Sequence, residues 1–422
     1  MATPIINTQL DTLNGHQSDQ VTNLESINDT LSALNHLISH QNAAIDLLAS
    51  DKRAALATDI GALVELIQND ELAEVMDYGD QISMAWSDGT TEYTPEMNLC
   101  HLETAELEDG ETIPVADFEW EYTLPFGTQF DAPEAIYYFA GTEAAGTYYI
   151  GIGANYGNGW STSKHIQFTL TAAPAAGDQL VIDCGANNTN DPTASRTWNV
   201  YAKGSTTSKQ SGQTSNGTSG TNLGTTSTNA QATNGRINAI ARVVYGYNRW
   251  AQSGLRQYLN SAAAAGAWWT AQNDWDRPCG YAASRAGFLS GYDASIVAHF
   301  RPAKVVTVAG DADSNAQDTT YDRVFLASLE QTYITPQFSG IEGAYWEYYK
   351  RLLGRTTPAQ QYQTYARLIK YALNGKTSAQ HRFLRSAYRA HSTNVWGANS
   401  SGTVYYYGAV HGNRCAPCVR IG

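Results

Sequence analysis

Leu10, Leu13, Leu24, Ile27, Leu31, Leu34, Ile38, Ile45 and Leu48 fall on alternating three- and four-residue steps. That spacing lays an apolar seam along one side of a helix and is the pattern of a coiled coil. The same register carries Gln17, Gln20 and Gln41 into the seam; buried polar layers cost stability but fix register and strand number. Gly15 weakens the first heptad, so a firm helix is predicted from near Asp19. A second helix, or a continuation, is predicted over 52–78 from Leu56, Ile60, Leu63, Val64 and Ile67. The first domain expected is thus a helical stalk over 1–78.

From Ile113 the period changes to two. Phe118-Glu-Trp-Glu-Tyr122, Thr147-Tyr-Tyr-Ile-Gly-Ile152, His165-Ile-Gln-Phe-Thr-Leu170, Gln179-Leu-Val-Ile-Asp183 and Thr197-Trp-Asn-Val-Tyr201 read as strands separated by Gly, Pro, Asn and Asp. Short strands at this spacing predict a β-sandwich or jelly roll over 112–202. Residues 203–235 are almost all Ser, Thr, Gly, Asn and Gln. Such a stretch buries too little apolar surface to order itself, and an exposed loop or linker is predicted. Beyond it, over 236–422, a helix is predicted at 250–265, with Leu255 and Leu259 on one face. Trp268, Trp269, Trp275, Phe288, Leu289, Phe300, Val305, Val306, Val308, Phe325, Leu326, Leu329, Trp346 and Trp396 supply its core. Mixed short helices and strands make the whole chain an α+β multidomain protein.

Composition narrows the function. Tyr (26) and Gly (36) are abundant while Lys and Arg together number only 26, a palette of extracellular β-proteins and paratopes. A net charge of -14 argues against nucleic acid or an anionic membrane as partner. No run approaches the ~18 apolar residues of a membrane span, so no membrane insertion is expected. Five scattered cysteines do not make a disulfide scaffold. Met1-Ala-Thr-Pro lacks the basic and apolar regions of an export signal. Synthesis in the cytoplasm and release within a virus particle reconciles that start with an extracellular composition.

Catalytic motifs are missing: there is no serine elbow, phosphate loop, His-Glu-x-x-His or dinucleotide fingerprint. No catalytic residue, cofactor or metal site is assigned. Asp311, Asp313, Asn315 and Asp318 could offer oxygens to calcium, but the loop lacks the Gly and Glu of an EF-hand and reads as a solvated turn. Cys415 and Cys418 have redox or zinc spacing without the supporting ligands, which leaves a disulfide or two packed thiols. Glu330, Glu342 and Glu347 read as structural partners for Arg323, Arg351 or Arg355.

The most informative stretch is the C-terminal one. Tyr405, Tyr406 and Tyr407 are consecutive, so a strand would send them to opposite faces with at least one exposed. Tyr388, His391 and His411 add aromatic surface among Ser, Gly, Thr and Asn. Tyr offers contact area at low rotamer cost while its small polar neighbours adapt, as in paratopes.

Leu384-Arg-Ser-Ala, Asn394-Val-Trp396, Asn399-Ser-Ser-Gly402, Ala409 and Arg414-Cys-Ala-Pro, in that order at the chain end, resemble the variable proteins of diversity-generating retroelements. Gly246-Tyr-Asn-Arg-Trp250, Arg256-Gln-Tyr-Leu-Asn260, Gly266-Ala-Trp-Trp269, Trp275-Asp-Arg-Pro278, Gly287-Phe-Leu289 and Thr320-Tyr-Asp-Arg-Val-Phe-Leu326 extend the resemblance across 236–422. It implies a C-type lectin-like domain and, as in many members, a phage receptor-binding protein at a tail-fibre tip. Such a protein would be a homotrimer. It would meet other tail proteins through its N-terminal region and bind a protein or glycan receptor on a bacterial host. In that family, template adenines are randomised on copying and Asn codons are the usual targets. The positions so implied as variable and ligand-binding are Tyr388, Ala390, His391, Thr393, Gly397, Ala398, Thr403, Tyr405, Tyr406, Tyr407, Gly408, Val410 and His411. None is Trp, Met, Lys, Glu or Gln, the types such codons cannot reach. Val395, Trp396, Ser400, Ser401, Gly402 and Ala409 would form the fixed frame. The ending Cys415-Ala-Pro-Cys-Val-Arg-Ile departs from the Arg-Pro ending of many members, which bears on the last strand. Two other readings stand beside this one: a structural fibre protein, and a lectin-fold enzyme using Cys415 and Cys418 or paired carboxylates.

Overall fold

A computed structural model describes residues 3–56, 59–153, 163–184, 191, 193–232 and 234–422. The chain divides into two compact units, Met1–Leu56 and Ala57–Gly422. The first is one helix, Thr3–Leu56. It passes through Gly15 without a break, so it starts well before the predicted Asp19. Thr12, Thr22 and Thr30 turn their hydroxyls back to carbonyls four residues earlier, at 2.8–3.0 Å, which satisfies them on a solvated helix. The predicted seam is uncovered: Leu10, Leu13, Leu24, Ile27, Leu31, Leu34 and Ile38 are all exposed, Leu24 at 65%. The side chains of Gln41, Ile45 and Leu48 lie outside the described residues.

Of the segment 52–78, predicted as a second helix or a continuation, residues 52–56 continue the first helix, and the described residues beyond them form two short helices in the second unit. Asp59 caps Ile60–Gln68, its carboxylate accepting from the amides of Gly61 (2.9 Å) and Ala62 (3.2 Å). Leu63, Val64 and Ile67 are buried, and the helix packs on the strand Thr112–Trp120. After Asp70, in a left-handed conformation, only Leu72–Val75 is helical. The first, all-helical unit therefore ends at Leu56, short of the 78 expected from the sequence.

A five-stranded antiparallel sheet follows, ordered Gln81–Ser83, Glu96–Glu106, Thr112–Trp120, Cys418–Ile421, Val324–Phe325. The last strand of the chain is thus interior, with Val419 opposite Phe118 on one side and Val324 on the other. Its pairing takes the segment 112–120 out of the middle β domain in which the sequence placed it. Arg420 binds Asp117 across the ladder (2.8 Å) and also Glu103.

Two four-stranded sheets make the middle region. One runs Ser208–Gln213, Thr197–Tyr201, Gln179–Ile182, Tyr137–Tyr138; the other Ser215–Asn216, His165–Leu170, Gly146–Ile152, Thr221–Thr226. They share one core of Ile150, Ile166, Leu180, Val200 and their neighbours, with Phe168 and Trp198 in contact at 5.9 Å. Residues 208–226 contribute three of these strands, which corrects the prediction of an unstructured linker. The segment is exposed as its composition demands, and backbone pairing plus side-chain amides order it. Gln210 accepts from the amide of Thr171 (2.9 Å) and Gln167 from that of Ser219 (3.0 Å). Gly212 lies over Trp198, where a Cβ would come within 2.8 Å of the indole.

Beyond Ile240–Tyr245, the predicted helix over 250–265 shrinks to a 3-10 turn, Trp250–Gln252, and Gly254–Leu259. Ser253 caps the latter, and Asn260 ends it by turning its amide to the carbonyls of Arg256 (3.1 Å) and Val324 (2.8 Å). A hairpin, Ala303–Val308 with Gln317–Asp322, and a three-stranded sheet, Arg382–Ala387, Asn394–Ala398, Val404–Gly408, complete the unit. The predicted core residues are buried except Trp269 and Val306, which are partly exposed. The chain is mixed α+β, and among the described residues no helix is long and apolar enough to cross a membrane.

Arg420→Ala leaves Asp117, only 1% exposed, as a buried charge without its partner. Loss of about 3–5 kcal/mol is expected, read as a lower urea midpoint; an unchanged midpoint would show that the ion pair does not hold the last strand in place.

Candidate functional site

The sheet Arg382–Ala387, Asn394–Ala398, Val404–Gly408 carries the segment singled out in the sequence. Its register sets Val395 opposite Tyr407, Trp396 opposite Tyr406 and Gly397 opposite Tyr405. Val395 and Trp396 are fully buried and form the floor. Over it the rings gather into one aromatic cluster. Tyr388 stacks on Tyr406 (4.1 Å) and on His391 (5.5 Å), and Tyr405 stacks on Tyr406 (4.6 Å). Tyr407 touches His381 (5.4 Å) and His411 (6.5 Å), and joins the rest through Tyr405 (6.0 Å). The expectation that consecutive tyrosines part to opposite faces gives way to this clustering on an edge strand; Tyr405 is the one left exposed, at 40%.

Backbone contacts hold the connections in place. Asn248, from the Gly246-Tyr-Asn-Arg-Trp250 motif, is buried beneath the 388–394 loop. Its side-chain amide donates to the carbonyls of His391 (2.7 Å) and Asn394 (2.8 Å), and its backbone amide to that of Ser392 (2.9 Å). The turn 399–403 is held by Asn399, which accepts from the amides of Ser401 (2.9 Å) and Thr403 (2.8 Å). Gly402, with φ of +82°, sits there against the carbonyl of Tyr365.

The thirteen positions divide. Ala390 and Tyr405 are exposed; Tyr388, His391, Thr403, Tyr406, Tyr407, Val410 and His411 are partly so. Thr393, Gly397, Ala398 and Gly408 are buried and do not belong to the face. A Cβ on Gly397 would stand 2.2 Å from the carbonyl oxygen of Arg382, and one on Gly408 3.2 Å from the Tyr245 ring. Ala398 lies between paired strands, and the Thr393 carbonyl accepts from Ala409. Of the frame positions, Val395, Trp396, Gly402 and Ala409 are buried, whereas Ser400 and Ser401 are not.

Residues the sequence reading passed over join the face. Tyr362, 46% exposed, meets Trp396 (5.4 Å) and Tyr405 (5.7 Å) from a left-handed backbone conformation. Gln337 accepts from the Trp396 indole (3.0 Å) and the Arg389 amide (2.8 Å). His381 flanks Tyr407. Only the Tyr-rich neighbourhood of Tyr362 could have signalled it. Beside Tyr407 opens a groove of about 670 Å³ lined by Gln129, Pro133, Asp183, Val244, His381, Tyr407, Val410, His411, Gly412 and Asn413. Burial raises the Tyr407 phenol to about 12 and lowers the imidazoles of His391 and His411, the latter also through His381.

The other candidates resolve as structure. Asp311, Asp313 and Asp318 pair with Arg389 (2.8 Å), Arg242 (2.8 Å) and Arg249 (2.6 Å). Cys415 and Cys418 are buried free thiols, and burial raises Cys415 to about 12. Glu347 meets Arg351 (3.6 Å) as expected. Glu342 and Glu330 instead accept from the backbone amides of Val308 (3.1 Å) and Gly340 (2.8 Å), which corrects their assignment to arginines.

The profile of a family described as Domain of unknown function (DUF6273) matches residues 224–421. No curated protein and no solved structure matches the chain. The matched span holds the aromatic face and the last strand, but not the strand Thr112–Trp120 on which that last strand pairs.

Gly397→Ala is expected to lower stability by about 1–3 kcal/mol, whereas Ala390→Ser changes it by less than about 0.5 kcal/mol. Thermal melts of the two variants check this, and equal melting temperatures would remove the division between buried and displayed positions.

Proposed function

We propose that the chain is a non-enzymatic receptor-binding adhesin of a phage tail-fibre tip, whose C-terminal aromatic face binds a ligand on the bacterial host surface. The observation that carries it is the contiguous Tyr and His surface of Tyr362, Tyr388, His391, Tyr405, Tyr406, Tyr407 and His411 on a sheet with a fully buried floor. Aromatic rings held over a rigid base are the usual anchors of recognition surfaces. In this reading residues 236–422 carry a C-type lectin-like domain diversified by a retroelement, and the two four-stranded sheets between residues 137 and 226 are a sandwich-like spacer. The uncovered seam of Thr3–Leu56 assembles with two further copies as a coiled coil, and the same region meets other tail proteins. Three faces then bind together, and weak single contacts gain avidity. The protein acts in the virion and needs no cofactor for this.

Adhesion to host cells tests the reading. The full chain should bind; Tyr388→Ala with Tyr405→Ala should lose at least tenfold in apparent affinity, about 1.4 kcal/mol; and Tyr371→Ala, an exposed tyrosine elsewhere, should lose nothing. Replacing Leu24 and Leu31 by Ser should give monomers in sedimentation and cut apparent affinity further. Loss of melting temperature in the tyrosine variants without loss of adhesion would favour a structural fibre protein.

Diversification has its own check in the genome. A reverse transcriptase should lie near the gene, with a second copy of its 3′ end differing at template adenines in the codons of the displayed positions. A copy differing elsewhere, or none, would remove the retroelement from the proposal.

A further inference from the structure

We infer that the groove beside Tyr407 is a saccharide subsite that takes a neutral, hydroxyl-rich sugar of about two residues. This rests on the adhesin reading and narrows its ligand. The groove's volume, about 670 Å³, is within the roughly 300–1,000 Å³ of small-ligand sites. Its wall changes character along its length. Tyr407 and Val410 give it an apolar side; Gln129, Asn413, His381 and His411 give amide and imidazole groups; Asp183 is its one carboxylate. Among the described residues no lysine or arginine lines it, so nothing there balances a phosphate, sulfate or carboxylate ligand.

The polar groups suit hydroxyls. Burial, with His381 beside it, lowers the His411 imidazole below its ordinary value and favours its neutral form, which can offer one donor and one acceptor. Asn413 is anchored through its carbonyl, which accepts from the Thr128 amide (2.7 Å) and hydroxyl (3.1 Å). Its side-chain nitrogen, by contrast, is buried without an acceptor. An unmet buried donor costs free energy, and a ligand oxygen would satisfy it. Gln129 is held in place at both ends of its amide, donating to the Val410 carbonyl (3.1 Å) and accepting from the Gly280 amide (3.1 Å), so this part of the wall is preformed. A pyranose has what these surfaces need: an apolar face for Tyr407 and a rim of hydroxyls for the amides and imidazoles.

The groove is also built from distant parts of the chain. Gln129 and Pro133 precede the two-sheet region, Asp183 follows one of its strands, Val244 lies in the last turn of a helix, and 407–413 run from the end of the last strand of the aromatic sheet into the segment beyond it. A subsite assembled this way keeps a constant wall while Tyr407, Val410 and His411 set its selectivity.

Titration calorimetry on the full chain, with lactose and N,N′-diacetylchitobiose as probes and choline and sialyllactose as contrasts, tests the inference. At least one neutral disaccharide should bind. Tyr407→Ala should weaken it about tenfold, as should His411→Ala if Tyr407→Ala does not fold, while Tyr371→Ala leaves it unchanged. Failure of both neutral sugars to bind, or tighter binding of choline or sialyllactose, overturns the subsite. If that happens while cell adhesion still depends on Tyr388 and Tyr405, the subsite alone is lost and the adhesin reading stands. Sugar binding without any cell adhesion would keep the subsite and remove the adhesin reading.

Discussion

The insertion of Cys418–Ile421 between Thr112–Trp120 and Val324–Phe325 is the constraint on which the second unit depends. An interior strand supplied by the chain's last residues means that the five-stranded sheet closes only when segments some three hundred residues apart have met. Charge reinforces the pairing. Glu119, fully buried, receives Arg382 (3.0 Å) and Lys370 (3.1 Å), and Tyr349 donates its hydroxyl to the same carboxylate. Arg382 begins the first strand of the aromatic sheet. The central sheet and the candidate face therefore share one buried ionic network, and neither can shift without uncovering a charge.

This arrangement explains how the face can be crowded with large side chains at little cost to the fold. The rings above Trp396 contact chiefly one another, while the loops below them are tied through backbone carbonyls and amides by Asn248 and Asn399. Backbone ties do not depend on which side chain the tied residue carries. Replacing Tyr405 changes the exposed surface; replacing Gly397 or Gly402 would strike main chain. Display and support are thus assigned to different atoms of the same segment.

Much of this was legible in the residues. Strands such as His165–Leu170 and Thr197–Tyr201 announce themselves by strict alternation, since one face of each is buried. Most of the aromatic core was equally plain. The polar strands within 208–226 were not, because their order comes from hydrogen bonds between backbones and amides, which leave no apolar period. The helix after Trp250 was overread because Ser253 and Asn260 act through contacts with residues not adjacent in sequence as well as local caps. For the candidate face, the Tyr and Gly content singled out the segment that carries the aromatic cluster, but which positions are exposed depends on strand register. Thr393, Gly397, Ala398 and Gly408 could be separated from Tyr405 only once that register was known.

Register is also where the buried arginines matter most. Arg382 and Arg385 are each about 2% exposed on the strand Arg382–Ala387. Arg382 reaches Glu119 and the Tyr349 hydroxyl (3.1 Å); Arg385 reaches the Leu326 carbonyl (2.6 Å), Gln331 and the Glu342 carbonyl. Well-packed apolar residues in their place could be as stable or more so, because desolvating a guanidinium costs several kcal/mol. Stability alone does not account for them. A slip of one residue would turn each side chain to the opposite face of the strand and leave an arginine without its acceptors. An apolar strand penalises such a slip less sharply, since neighbouring apolar residues can exchange places. The buried charges on this strand thus hold the register of the aromatic sheet without depending on which side chains lie over it.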